Sequence, residues 1–387
     1  MRILSVHNSY QIRGGEDESR KTEENLLRSH GHTVDTYEVS NHIIKDISKG
    51  KLAARTLWSK ETYQAVGNML EADTYDIVHV QNFFPLISPS VFYAAKAAGV
   101  PVIQTLRNYR LMCPNALFFR DGHVCEDCVG KPIPYPGILH GCYRESKAAS
   151  AVTAAMIVSH RLLNTWTNKI DGYIALTEFA RSKFIESGFP AEKIHVKQNF
   201  VSPDPGVANG EGGYALYVGR LSTEKGLDTL LQAWELLDSK IELRIVGDGP
   251  LSDQVQTATQ KSDRIKWLGR LPVEEVYDLM GSAQFLVFPS KWYETFGRVA
   301  VEAFAKGTPV IASEIGAIAE IVHTGKTGLL FEAGNPNDLA AKVHELTRDD
   351  AQLLKMRQQA RSEFTSKYTA EINYDRLIEI YKQHIVN

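Results

Sequence analysis

The stretch FLVFPSKWYETFGRVAVEAFAKGTPVIA, residues 285–312, limits the fold more than any other part of the chain. It opens with a short bulky apolar run, Phe285 to Phe288, of the kind buried on both faces of a parallel sheet. After a loop, apolar residues recur at helical spacing from about Phe296 (Val299, Val301, Ala303, Phe304) until Gly307 ends the helix and Pro309 introduces a second strand, Val310 to Ala312. A strand, a helix and a parallel strand in so short a span require an α/β layer architecture. Glu294 then falls in the loop beyond the carboxyl end of a strand, where open parallel sheets bind ligands. Glu302 falls inside the apolar helix, where an ionised carboxylate is costly unless something donates hydrogen bonds to it.

Similar units fill the chain. Ile3 to Val6 reads as a first strand, Arg13-Gly14-Gly15 as its loop, a helix runs from about Glu16 to His30-Gly31, and Thr33 to Tyr37 is the next strand. Glycines before a helix let an anion approach the backbone, although Glu16, Asp17 and Glu18 would repel a phosphate. Residues 38–72 look helical and amphipathic. Tyr75 to Val80 and Pro101 to Thr105 read as buried strands, placing Gln81-Asn82 and Arg107-Asn108 where a cleft would open, with His79 inside the first of them. Helices are expected at 148–168, 178–187 and 372–385, and strands at 172–176 and 195–197. Between Pro203 and Gly213 all periodicity stops, and a second series of strand-loop-helix units begins at Tyr214. With 387 residues the chain is too long for one ordinary core, so two domains are expected.

Charge excludes little except nucleic acid: 43 Lys and Arg against 46 Asp and Glu give a formal −3. Residues 1–200 hold 23 basic against 20 acidic side chains, net +3, which would suit an anionic acceptor or a membrane surface. No apolar run reaches the length of a membrane span, and Met1-Arg2-Ile3-Leu4 enters a strand without a signal-peptide pattern; the expectation is a cytoplasmic protein, with peripheral contact at the inner membrane left open.

All four cysteines lie between Leu111 and Tyr143, as Cys113, Cys125, Cys128 and Cys142 in C-x11-C-x2-C-x13-C. A structural zinc held by the four thiolates would pin this aperiodic loop, with His123 or His140 able to replace one ligand. Reduced thiols without metal and redox pairing are the other readings.

In the second half, Gly219-Arg220-Leu221-Ser222-Thr223-Glu224-Lys225-Gly226 follows the strand Ala215 to Val218 and enters a helix. An arginine fork and a lysine five residues on can meet both phosphates of a diphosphate. Gly247-Asp248-Gly249 and Gly269-Arg270-Leu271 close the next two strands. The G-R-L-x-x-E-K-G loop, with the two glutamates of Glu294-Thr295-Phe296-Gly297 and Glu302 eight positions apart, resembles family four of the retaining glycosyltransferases, which have the GT-B fold: two Rossmann-like domains facing each other across a cleft.

The resemblance implies an acceptor-binding domain over 1–202 with the cysteine-containing insertion at about 108–146, a linker at 203–213, a nucleotide-sugar-binding domain over 214–370, and a last helix, within 371–387, crossing back to the first domain. A subset of the family carries a similar cysteine loop. The implied reaction moves a sugar from a nucleoside-diphosphate sugar to a saccharide or glycolipid acceptor with retention at the anomeric carbon, the domains closing about the linker to exclude water. Arg220 and Lys225 would stabilise the departing diphosphate, Glu294 would steady the sugar, and Glu302 would accept from the ribose diol. Gly14, Gly15, Gly219, Gly247, Gly269, Leu271, Phe296 and Gly297 would complete the donor site. His79, Asn82 and Asn108 fall on the acceptor side. Family members often carry histidine where Arg107 stands; an arginine can bind phosphate there but cannot act as a general base. No D-x-D follows a strand, so no cofactor is expected in catalysis. A sugar-nucleotide-binding protein without turnover, and another GT-B enzyme such as an epimerase or a phosphorylase, are the competing readings.

Overall fold

The computed structural model describes residues 1–11, 14–238 and 240–385; Arg13, expected in the first loop, lies outside them. The chain divides into two compact units. The first comprises residues 1–118, 126–198 and 373–387, and the second comprises 119–125 and 199–372, which includes the stretch expected as a linker.

The first unit is built on a parallel sheet of six strands, β1 (Arg2–Ser9), β2 (Thr33–Ser40), β3 (Ile77–Asn82), β4 (Val102–Leu106), β7 (Gly172–Ala175) and β8 (Ile194–Val196), in the order β2-β1-β3-β4-β7-β8. A two-stranded antiparallel hairpin, β5 (Phe119–Arg120) and β6 (His123–Val124), lies between β4 and β7 in the chain. β3 and β4 are buried along their whole length, as an interior parallel strand requires. The order reverses between β1 and β3, so the crevice beyond their carboxyl ends is a topological switch point.

The second unit repeats the plan with β9 (Tyr214–Val218), β10 (Glu242–Val246), β11 (Ile265–Gly269), β12 (Phe285–Phe288), β13 (Val310–Ser313) and β14 (Gly328–Phe331), in the order β11-β10-β9-β12-β13-β14. Its switch point lies between β9 and β12, which pair through Ala215 and Leu216 with Phe285 and Leu286. The loops after these two strands carry Arg220, Lys225 and Glu294.

Residues 38–72 depart from the expectation of one amphipathic helical region. β2 runs on to Ser40, a 3-10 turn follows at Asn41–Asp46, and two helices, Lys49–Leu57 and Lys60–Ala72, are each started by a serine that accepts a backbone N–H. Ser48 and Ser59, as the caps that start these helices, divide the amphipathic stretch, with Trp58 extended between the two. The helix Ala370–His384 packs Leu377, Ile378, Ile380 and Tyr381 into the same core as Ile3, Ile77, Ile103 and Ile174.

Candidate functional site

In the second unit the two switch-point loops lock together. Gly226 sits in the left-handed region at φ +69°, and a Cβ there would lie 1.7 Å from the Pro289 carbonyl oxygen, so only glycine lets the loops approach. Lys291 N donates to Glu224 O at 2.8 Å across the same contact. Glu294 is buried, and its Oε1 accepts from Lys225 Nζ at 2.6 Å, Ser290 Oγ at 2.8 Å and Trp292 Nε1 at 2.9 Å. The Lys225 ammonium also lies 5.2 Å from the centre of the Trp292 ring, a cation–π distance. Arg220 is exposed at the start of the same loop, its carbonyl accepting from Tyr217 OH at 2.9 Å. One cation is therefore fixed by a buried carboxylate while its loop partner extends into solvent.

Glu302 lies in the helix Arg298–Ala305, which starts at Gly297 with φ +112°. Its Oε1 accepts from Arg298 Nε at 2.7 Å, one turn earlier on the same helix. Burial pushes the Glu302 carboxyl up and Arg298 pulls it partly back. Burial works against the Arg298 charge, yet Glu302 outweighs it and holds that guanidinium above its usual value. Tyr277, beside the pair, is pushed up to about 12 by burial and the Glu302 charge. The buried carboxylate that the sequence leaves unexplained thus has its donor four residues upstream. The i, i+4 spacing was legible, but nothing in the sequence told that the two side chains face one another rather than solvent.

The expected donor glycines converge on one end of the sheet. Gly247 is at φ +134°, where a Cβ would come within 1.9 Å of Gly219 O, and Gly247 N donates to Gly269 O at 2.7 Å. Trp267 Nε1 donates to Gly247 O at 2.9 Å, Leu271 is half-buried in the loop just beyond, and Phe296 is buried against Tyr368.

In the first unit, Gly14 and Gly15 are exposed at the start of the helix Gly15–Ser29. Two of the three acids expected to repel an anion there have partners. Asp17 accepts from Gly14 N at 3.1 Å and lies 2.8 Å from His7 Nε2, and Glu16 accepts from Tyr10 OH at 3.1 Å.

His79, expected on the acceptor side, is a core residue. Its Nδ1 is 2.6 Å from Tyr381 OH and its Nε2 is 2.7 Å from Thr105 Oγ1. Burial, reinforced by Lys197 and Arg107 against the opposing pull of Glu23, lowers its pKa to about 4. Asn82 and Asn108 do line a cavity of about 320 Å³ of empty space, open mouth included, beyond the ends of β3 and β4, together with Gln81, Gln104, Arg107 and Arg110. Arg107 is buried, and Gln81 Oε1 accepts from its Nε at 3.0 Å and its Nη2 at 2.6 Å. Gln81 in turn donates to Glu23 at 2.6 Å, and Lys197 Nζ donates to Glu23 at 2.7 Å and to Asn373 at 3.0 Å. Burial would raise the Glu23 carboxyl, but Lys197 and the nearby His79 and Arg107 hold it at about 2.

The four cysteines differ in exposure. Cys113 and Cys128 are buried, Cys125 and Cys142 half-buried, and Cys128 Sγ faces Pro134 O at 3.8 Å. Among the described residues no group of three or more His, Cys, Asp or Glu side chains is placed to hold a metal ion, so the thiolate set expected from the spacing is not assembled here.

Residues 202–363 match the family model of glycosyl transferases group 1, and residues 50–199 match that of the glycosyl transferase 4-like domain. The chain belongs to the glycosyl transferase group 1 family. An uncharacterized glycosyltransferase of Methanocaldococcus jannaschii is 33% identical over 53% of this chain and 57% of its own length. A phosphatidyl-myo-inositol mannosyltransferase of Mycobacterium leprae is 31% identical over 57% of this chain and 61% of its own length. The chain thus spans about 40–60% of the length of the curated relatives it matches. The crystal structure of Anabaena HepE in complex with UDP and glucose superposes with a TM-score of 0.70 at 18% identity, covering 98% of this chain and 99% of that one. With both sheets parallel and six-stranded, the chain has the GT-B fold. No helix among its described residues is long and apolar enough to cross a membrane.

Proposed function

We propose that this glycosyltransferase moves a sugar from a nucleoside-diphosphate sugar to a hydroxyl of a saccharide or glycolipid acceptor, with retention at the anomeric carbon. The observation that carries the reading is the Lys225–Glu294 pair at the switch point of the second unit, beside the exposed Arg220. HepE, of the same fold, holds UDP and glucose, which favours a uridine nucleotide as the first donor to try.

Breaking a glycosyl phosphate bond develops positive charge on the sugar ring and negative charge on the departing diphosphate. Arg220 and Lys225 stand in a loop that enters a helix, and they are the groups that stabilise the second charge; fixed cations of this kind are preorganised for it. Glu294 holds Lys225 in position before substrate arrives and lies where it can steady the sugar. Glu302, kept near Arg298, accepts from the ribose hydroxyls. Arg107 cannot take a proton from the acceptor hydroxyl, so in a same-face reaction the departing phosphate oxygen accepts it.

The test is turnover by purified full-length protein with radiolabelled UDP-, GDP- and ADP-sugars, with the anomeric configuration of the product read by NMR. An inverted product would overturn retention. Donor binding without any product from a broad acceptor panel would instead favour a protein that only binds the nucleotide sugar.

Peripheral contact with an anionic membrane belongs to the same reading. In the first unit Trp58, Ile133, Tyr135, Leu139, Leu162 and Leu163 are exposed, and Lys45, Lys49, Lys51 and Lys60 are exposed on the neighbouring segment.

A further inference from the structure

The cavity beyond β3 and β4 has a chemical character that the glycosyl-transfer reading does not account for. None of the described residues lining it is acidic, while two of them are arginines. Both guanidinium groups are held in place. Arg107 is fixed in plane by the two bonds to Gln81 Oε1. Arg110 lies 4.3 Å from the centre of the Phe84 ring and 4.7 Å from that of Tyr143, and it donates to Pro114 O. Two immobilised forks on one wall are suited to a planar or tetrahedral oxyanion.

The carboxylates that sense the Arg107 charge lie outside the lining and have other bonding partners. Glu23 is bonded by Lys197 and Gln81. Glu16, close enough to sense the Arg107 charge, is pushed up chiefly by its own burial. A second observation is independent of charge. Gln104 lines the cavity and is 5% exposed, yet its Oε1 has no hydrogen-bond partner. A buried amide oxygen left unsatisfied is costly, so a ligand that donates a hydroxyl there would be favoured.

We propose that this cavity receives the anionic end of the acceptor, a phosphate or carboxylate carried on a hydroxylated ring, with Arg107 and Arg110 binding the charge and Gln104 Oε1 accepting from a ring hydroxyl. The assignment rests on the glycosyl-transfer reading and gives it an acceptor class. A neutral sugar would bring no anion to the two arginine forks that line the cavity, and an apolar ligand would leave Gln104 Oε1 unsatisfied.

The experiment is calorimetric titration of the full-length protein, saturated with whichever of UDP, GDP or ADP raises its Tm, using glucose 6-phosphate, glucuronate, inorganic phosphate and glucose. Saturation occupies the cationic loop of the second unit, so the anions report on the cavity. Glucose 6-phosphate or glucuronate should bind at least about tenfold tighter than glucose, and whichever of the two does so identifies the anion. Arg107→Gln and Arg110→Gln should each weaken that binding roughly ten- to a hundredfold without changing the nucleotide-induced Tm shift. Gln104→Leu should weaken the sugar anion but leave inorganic phosphate unchanged. Equal binding of glucose, or anion binding indifferent to Arg110→Gln, would overturn the proposal. If no nucleotide shifts the Tm, the transfer reading fails by itself, and sensitivity of the anion titration to Arg110→Gln still decides the cavity.

Discussion

At the scale of single residues, the two glutamates of the second unit differ in what surrounds them, and their substitutions should separate accordingly. Lys225 is already bonded to Glu294, so Lys225→Ala removes a cation and leaves a buried carboxylate with one donor fewer. Arg220→Ala removes the exposed cation of the same loop. Each change should lower kcat/KM by about 2–4 kcal/mol, the range found when a preorganised donor to developing negative charge is lost; steady-state kinetics with the competent donor will decide. Glu302→Gln keeps the shape and an acceptor oxygen but loses the charge-assisted bond, so nucleotide affinity should fall about tenfold. A Kd measured by calorimetry checks it, and an unchanged Kd would place the ribose elsewhere. The cysteines pose a different question at this scale. One equivalent of zinc in purified protein, lost in Cys128→Ser, would mean that the thiolates converge on metal; zinc well below one equivalent would leave the reduced-thiol reading.

Among the elements, the buried strands of both sheets were legible because bulky apolar runs between turn residues have few other uses. β3, β4, β12 and β13 lie within two residues of where the pattern puts them. What remained hidden was contact between side chains far apart in sequence. Gln81 fixing Arg107, and Tyr381 bonding His79 across 302 positions, leave no local trace. The same is true of loop packing: Gly226 reads as a helix-entry glycine, but its necessity comes from Pro289. Gly226→Ala should therefore destabilise the second unit by at least about 2 kcal/mol, the order of cost for a strained backbone, before the clash is counted; a lowered Tm for its transition is the readout. His79 gives an element-scale dependence on pH. Its pKa in the folded protein is about 4, below the ordinary value of 6.5, so between pH 7 and 5 the unfolded chain takes up a proton that the native sheet refuses. Stability is thus fully present above the unfolded value and is lost as pH falls toward 4. The contribution across that window is about 2 kcal/mol. Glu23 titrates below the window. His79→Gln should flatten the fall in stability between pH 7 and 5 by that amount in parallel denaturation series, and an unchanged slope would show that the histidine is not held neutral.

For the molecule as a whole, the question is what the exposed apolar side chains of the first unit meet. Leu162 and Leu163, 77% and 61% exposed, end the helix Lys147–Leu162, and Arg161 donates to the carbonyls of Lys131 and Pro132 at 2.7 and 3.0 Å, which brings Ile133 beside them. His160 Nε2 lies 3.0 Å from Leu57 O, which joins the helix Lys49–Leu57 to the same end, with Trp58 against Tyr93 and Lys169 over that ring at 5.3 Å. Apolar side chains that protrude singly are ordinary, but a group of them flanked by exposed lysines matches an interface with anionic headgroups above an apolar boundary. Each lysine near such a surface contributes on the order of 1 kcal/mol, screened by salt. Full-length protein should therefore sediment with vesicles of mixed phosphatidylglycerol and phosphatidylcholine, and much less with phosphatidylcholine alone or in high salt. Lys49→Gln with Lys51→Gln should weaken the association through charge, and Leu162→Ser with Leu163→Ser should weaken it even at low salt. Sedimentation that ignores both pairs would assign these side chains to another partner. Loss in the leucine variant alone would make the contact chiefly apolar, with the basic segment serving only to attract the protein to the surface.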